Sequence, residues 1–345
     1  MKEAARAFWY YTLGKYFCRR PPVLTLFVTN RCNARCQHCF YWQSLDKKKK
    51  AEISLDLIKK LSLDLGNLEL LMISGGEPFL RDDLADIVRI FWQNNSLKTA
   101  SLASNFLLPQ KTAELLEKIV KISPKLQVIV CPSLDGTEKV HDKIRGVKGA
   151  FDKFMQTYQR LTVLQKKYKN LRLRPNGVVF NLNCEDLFKL IDQMPKLFAE
   201  SWLFSLSLIR GERRNHGLKL PKEDKLKELF AYKFKKFKGE RPLPSRFLEK
   251  IIFNIQLKIL QGKKQLVPCE AGRLMATVFE DGSVSFCELL GKIGNLKEKS
   301  FAEIWQSKRA ESLRKKVVKG ECFCTHECML YPSLIAHPLS FLKGF

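Results

Sequence analysis

Cys32, Cys36 and Cys39 lie in the pattern C-x3-C-x2-C on one short segment. Three thiolates so spaced can hold three corners of a cubane [4Fe–4S] cluster and leave the fourth iron open to an outside ligand. Zinc is the competing reading. It would need a fourth Cys or His, and His38 stands between two of the cysteines. Asn30-Arg31 precedes the group and Phe40-Tyr41-Trp42 follows it, an aromatic shield suited to a redox centre. A second set comprises Cys269, Cys287, Cys322, Cys324 and Cys328. Residues 278–287, VFEDGSVSFC, read as a hairpin turning at Asp281-Gly282, which brings Cys269 and Cys287 together. Here zinc has a stronger claim, because cysteines plus His326 can close a tetrahedral site. Cys18, Cys131 and Cys184 read as small hydrophobes.

These groups need a scaffold, and residues 23–209 supply a rhythm for one. Runs 23–29, 68–74, 101–104, 126–134, 171–180 and 202–209 have strand character. Segments 55–65, 84–92, 112–120, 151–167 and 186–198 carry helical periodicity. Six strand–helix repeats predict an α/β fold with parallel strands, a partial (β/α)6 TIM-like barrel open on one side. Chemistry in such folds gathers where strands end. The first cysteine loop follows the first strand, and Gly75-Gly76-Glu77-Pro78 follows the second. Ser104-Asn105 ends the third, Ser133-Leu134-Asp135-Gly136 ends the fourth, and Arg145 lies a little beyond.

The chain has 345 residues, enough for a large core without disulfide support. Hydrophobic residues at 45% and charged residues at 28% exclude a disordered or fibrous chain. No stretch approaches the length of an apolar membrane span. The short apolar stretch at residues 7–14 is a poor export signal, so a reducing cytoplasm is expected, where grouped cysteines hold metal. The formal charge of +26 points to an anionic partner or surface. Residues 219–264 hold fourteen Lys or Arg against five Asp or Glu, and 233–238 interleave lysines with Phe234 and Phe237. Near the N-terminus Ala5, Phe8, Trp9, Thr12, Leu13 and Tyr16 follow helical spacing. Such basic-aromatic elements suit peripheral contact with the inner face of a membrane, against the simpler reading of packed and solvated faces. No RNA-binding module is evident, so a nucleic-acid partner is not expected.

The loop CNARCQHCF, Cys32 to Phe40, resembles the signature of the radical SAM superfamily. That resemblance implies that Cys32, Cys36 and Cys39 hold a catalytic [4Fe–4S] cluster whose open iron takes S-adenosyl-L-methionine. Gly75, Gly76, Glu77 and Pro78 resemble the family's GGE motif, which contacts the methionine amino group; glycines admit backbone carbonyls and Glu77 can accept from an ammonium. Ser104 and Asn105 stand where relatives contact the ribose, and Ser133 and Arg145 where relatives hold the cofactor carboxylate. The order of the distant cysteines resembles SPASM and twitch extensions, which carry auxiliary clusters. It implies one second [4Fe–4S] cluster, with Cys269, Cys287, Cys324 and Cys328 as its first four candidates and Cys322 close behind.

The expected organisation is an amphipathic segment 1–22, a barrel 23–211, a basic helical bridge 212–265, a small SPASM/twitch-like iron–sulfur module 266–332 and an apolar-basic tail 333–345. The expected activity is reductive cleavage of S-adenosylmethionine to a 5′-deoxyadenosyl radical that abstracts hydrogen from a substrate. The reductant would be a flavodoxin or ferredoxin. Peptide or protein modification, with the peptide on a separate carrier, is the first substrate class. A lipid or lipid-linked sugar at the membrane surface is the rival. An iron–sulfur or zinc scaffold without activity is the third reading, which the glycine-glutamate motif disfavours.

Overall fold

The computed structural model describes residues 20–47, 51–240 and 243–344. The amphipathic stripe within residues 1–19 and Cys18 lie outside the described residues. Strand β1, Val23–Thr29, is buried along its whole length. It leads through the cysteine loop to a short helix α1, Trp42–Leu45, and then to α2, Leu55–Asp64. Ser54 caps α2 by accepting from Leu57 N–H at 3.2 Å. Next come β2 (Leu70–Gly75), α3 (Leu84–Asn95), β3 (Thr99–Ser104), α4 (Pro109–Val120) and β4 (Gln127–Pro132). Helices α5 (Glu138–Arg145) and α6 (Ala150–Lys167) precede β5 (Leu171–Leu173) and β6 (Asn176–Val179). Helix α7 (Cys184–Leu197) and β7 (Ser205–Leu208) complete the repeats.

Strands β1 to β5 pair in parallel and in sequence order, and β6 pairs in parallel with β7. A bridge from Ser133 to Asn176 carries the order across the gap. On β2, β3 and β4 every second side chain is buried. Leu71, Ile73, Ala100, Leu102, Val128 and Val130 join helix residues such as Phe91 and Leu116 in one core. The alternate positions, among them Ser74, Ser101 and Cys131, are half-buried and face the barrel interior, where Ser101 Oγ lies 3.7 Å from Cys131 Sγ. Run 171–180, expected as one strand, is two. Arg174-Pro175 divides it, because proline has no N–H for the ladder.

Helices α8 (Glu223–Lys236) and α9 (Leu243–Gly262) form the bridge. Strands β8 (Met275–Val278), β9 (Ser283–Ser285) and β10 (Gly294–Asn295) then extend the barrel sheet. β8 lies parallel to β1, with Val23 opposite Met275, so the hairpin covers the edge of β1 that β2 leaves free. Helices α10 (Phe301–Trp305), α11 (Lys308–Val318) and α12 (Glu327–Ala336) follow, with a final 3₁₀ turn Pro338–Gly344.

The segment 233–238 is split: Lys235, Lys236 and Lys238 are exposed and Phe234 is half-buried, while the other two residues pack inward. Lys233 is fully buried and paired with Glu249, Phe237 is buried, and Lys236 reaches Asp192 at 2.7 Å. Aromatic packing on α9, where Phe230 stacks on Phe253 at 3.8 Å, turns the side carrying Lys233 and Phe237 inward. Among the described residues no helix is long and apolar enough to cross a membrane.

Candidate active site and its two cysteine centres

β1 delivers the first cysteine loop, and four backbone anchors fix its path. Buried Asn30 donates to Ser44 O at 3.1 Å and accepts from Ala51 N–H at 2.8 Å. Arg35 N–H donates to Arg145 O and Gln37 N–H to Ile144 O, both at 2.9 Å. The loop is therefore tied to the C-terminus of α5. Cys32 and Cys36 pack against Ala34, Leu107, Val147 and Ala150. Burial pushes the Cys32 thiol up to about 12 and the Cys39 thiol up to about 11, each raised further by the charge of Cys36. Thiols so placed ionise only when a cation compensates them.

The glycine pair is set directly against this loop. Gly75 has φ +122°, and a side chain there would stand 2.4 Å from Thr29 O. At Gly76 a Cβ would lie 2.0 Å from Arg31 O and 3.2 Å from Cys32 Cβ. Only glycine permits this approach. Pro78 begins a buried 3₁₀ turn. The Glu77 carboxylate points inward instead of into open space: Oε1 accepts from Ser104 Oγ at 3.0 Å and Phe79 N–H at 3.2 Å, and Oε2 from Asn105 N–H at 2.7 Å. It welds the end of β2 to the end of β3. Burial raises its pKa to about 7 against these donors. The Ser104 hydroxyl is spent on this same joint, whereas Asn105 Nδ2 reaches Asn33 Oδ1 at 2.7 Å and lies 4.0 Å from Cys32 Sγ. Of the two, Asn105 borders the cysteine loop.

Ser133 continues β4, its N–H donating to Ser104 O at 3.0 Å. Arg145 is buried, with Nη2 2.6 Å from Asp135 Oδ2 and Nη1 3.4 Å from Cys36 Sγ. Asp135 is the residue that sequence reasoning passed over; its place in the SLDG turn was the only signal. Burial works against its charge, but Arg145, His38 and His141 hold its carboxyl below the usual range. His38 faces Asp135 at 3.9 Å and stacks on Phe180, and burial lowers its pKa to about 4. The Nε of Arg145 and Nδ1 of His38 are buried without a hydrogen-bond partner among the described residues. Three thiols on one loop, held close to the end of β2 by the glycine pair, and unspent buried nitrogens on Arg145 and His38 fit a cluster with a polar ligand beside it.

In the second region, Cys269 feels the charge of Cys324 and Cys322, and Cys287 feels that of Cys324 and Cys269. Those four form one neighbourhood. Cys328 feels the charges of Arg210, Glu288, Glu327 and Cys131, and Glu288 is felt at Cys287 and Cys324 as well. All five cysteines therefore stay candidates for the auxiliary cluster, Cys328 entering from the first turn of helix α12. His326 is buried with Nε2 3.3 Å from Glu288. Among the described residues no three Cys, His, Asp or Glu side chains converge on one point as a single-ion site requires.

Comparison with known proteins agrees with this architecture. Residues 26–190 match the radical SAM superfamily, and residues 269–329 match SPASM, an iron–sulfur cluster-binding domain. A cysteine-type anaerobic sulfatase-maturating enzyme of Clostridium novyi (strain NT) is 25% identical over 332 residues, covering 88% of this chain and 84% of that protein. An AdoMet-dependent heme synthase of Methanosarcina barkeri (strain Fusaro / DSM 804) is 26% identical over 326 residues, covering 88% and 87%. The fold is also that of Streptococcus suis SuiB bound to S-adenosylmethionine, with TM-score 0.61, 16% identity and coverage of 88% and 70%. The chain is a radical SAM enzyme with a C-terminal SPASM domain, and its cofactors are S-adenosylmethionine and two [4Fe–4S] clusters.

Proposed function

We propose that this enzyme matures a peptide or protein, working through the 23–211 barrel, the 212–265 bridge and the 266–332 auxiliary module. One observation carries the reading: the likeness to a sulfatase-maturating enzyme runs through both domains, and here the pairing of β8 with β1 joins those domains into one sheet. Cys32, Cys36 and Cys39 would hold the cluster, which with S-adenosylmethionine would supply one-electron reductive cleavage chemistry. The chain's own residues set the stage. Gly75 and Gly76 offer backbone to the methionine amino group, and Glu77 holds that backbone in place. Arg145, braced by Asp135, presents its guanidinium to the cofactor carboxylate. Asn105 stands at the ribose side. Cys269, Cys287, Cys322 and Cys324 hold the auxiliary cluster beside the chamber. A flavodoxin or ferredoxin donates the electrons. For the lipid-linked rival the 233–238 segment supplies exposed lysines at 235, 236 and 238 but no aromatic anchor at Phe237, which is buried.

The test is substrate-dependent release of 5′-deoxyadenosine under dithionite. Slow release without substrate is expected from the parent and none from Cys36→Ala. A library of unstructured peptides should accelerate release and include a member that gains or loses hydrogen by mass. Acceleration by a porphyrin, the class named by the Methanosarcina relative, or by a lipid-linked sugar, with all peptides silent, would overturn the reading.

A further inference from the structure

Residues 210–215, directly after β7, touch both cysteine regions. The Arg210 guanidinium forks onto Glu288, the residue after Cys287, with Nε 2.9 Å and Nη2 2.7 Å from the same carboxylate oxygen. It also lies 4.8 Å over the ring of Phe40, the residue after Cys39. Gly211 follows at φ +64°, where a Cβ would meet Phe40 at 2.9 Å and Leu289 at 3.3 Å. Further on, Arg214 N–H donates to Cys39 O at 3.2 Å and Asn215 N–H to Gln37 O at 2.9 Å. Arg214 Nη2 donates to Asp46 at 3.0 Å. The segment is a strap. One side is backbone-paired to the first cysteine loop and the other is charge-paired to the auxiliary loop.

We propose that Arg210 is a positioning residue that sets the auxiliary centre against the radical centre and supplies a positive charge shared by both. This rests on the two-cluster assignment and is independent of the substrate class. Arginine suits the task because its planar fork can grip a carboxylate and lie on an aromatic ring at once. Its charge is felt at Cys287 and Cys328 on one side and at His38 on the other. A cation fixed near an iron–sulfur cluster favours the reduced, more negative state, so it raises the reduction potential. Glu288 offsets part of that charge at the auxiliary loop, and the neutral ring of Phe40 offsets none on the opposite side.

Holoenzyme carrying Arg210→Gln or Arg210→Lys is compared with the parent by EPR-monitored reductive titration and by amide exchange across residues 37–46. Iron in the parent is measured first, so that failure of the two-cluster assignment, which would also end this proposal, is seen separately. Arg210→Gln should move the auxiliary signal to more negative potential and speed exchange across 37–46 severalfold. Arg210→Lys keeps the charge but lacks the fork; it should restore the potential and leave exchange fast. Unchanged potential in Arg210→Gln overturns the shared charge, and unchanged exchange overturns the positioning. Equal displacement of the potential in both variants would show that packing, not charge, sets it, and would overturn the assignment likewise.

Discussion

Arg145 and Asp135 meet at 2.6 Å in a pocket closed to solvent, and Val178 N–H reaches the carboxylate's second oxygen at 2.9 Å. The pair places a guanidinium against Cys36 and prevents it from turning away. Asp135→Asn leaves that cation buried without its counter-charge, which costs about 3–5 kcal/mol of stability. Because the folded carboxyl titrates below its unfolded value, its contribution is complete above the unfolded pKa of about 4 and fades on acidification below it. Urea midpoints of parent and variant should differ widely at neutral pH and converge in acid. A constant gap would refute the linkage.

Glu77 has the opposite sign. Its folded pKa of about 7 stands above the unfolded value of about 4.3, so the folded state holds an extra proton between them. Stability should therefore decline as pH rises through that window and level off above it. Glu77→Gln should remove the slope. The check is denaturant midpoints between about pH 5.5 and 8; a parent profile as flat as the variant's would sink the idea.

Anaerobic reconstitution should give about eight irons per chain from two [4Fe–4S] clusters. Replacing Cys32, Cys36 and Cys39 together by Ala should leave about four. On the proposed grouping, Cys322→Ala should also lose about four, while Cys328→Ala keeps about eight. If Cys328→Ala loses iron and Cys322→Ala does not, the grouping is reversed.

Gly76→Ala drives a methyl into the Arg31 carbonyl. Backbone cannot give way as a side chain tip does, so a loss of about 1–3 kcal/mol is expected. Binding of S-adenosylmethionine, followed by isothermal calorimetry, should fall with it. A variant that binds as the parent does would remove the glycine pair from the cofactor site.

The alternation of strands and helices was legible because the shift from period two to period 3.6 is local. Helix α5 was not, since its eight residues carry mostly charge and only His141, Ile144 and Arg145 are buried. Motif spacing located the glycine pair and both cysteine regions, but not the direction in which Glu77 points, which depends on donors of the next strand-end. Nor does a run of lysines reveal that Lys233 has Glu249 waiting sixteen positions on. The strap at 210–215 was invisible for the same reason: its partners, Gln37, Cys39 and Glu288, are all remote in sequence.

The parallel seam between β1 and β8 imposes an order on biosynthesis. Val23 and Met275 are on the order of 250 residues apart, so the ribosome releases the first strand long before its neighbour exists. Until then one side of a strand that is wholly buried in the finished fold offers bare N–H and C=O groups, a template for pairing with other nascent chains. Chaperone shielding of that flank, or rapid docking of the hairpin when it emerges, then governs the yield of folded enzyme. Any shortened version that stops ahead of the hairpin inherits the same adhesive flank permanently.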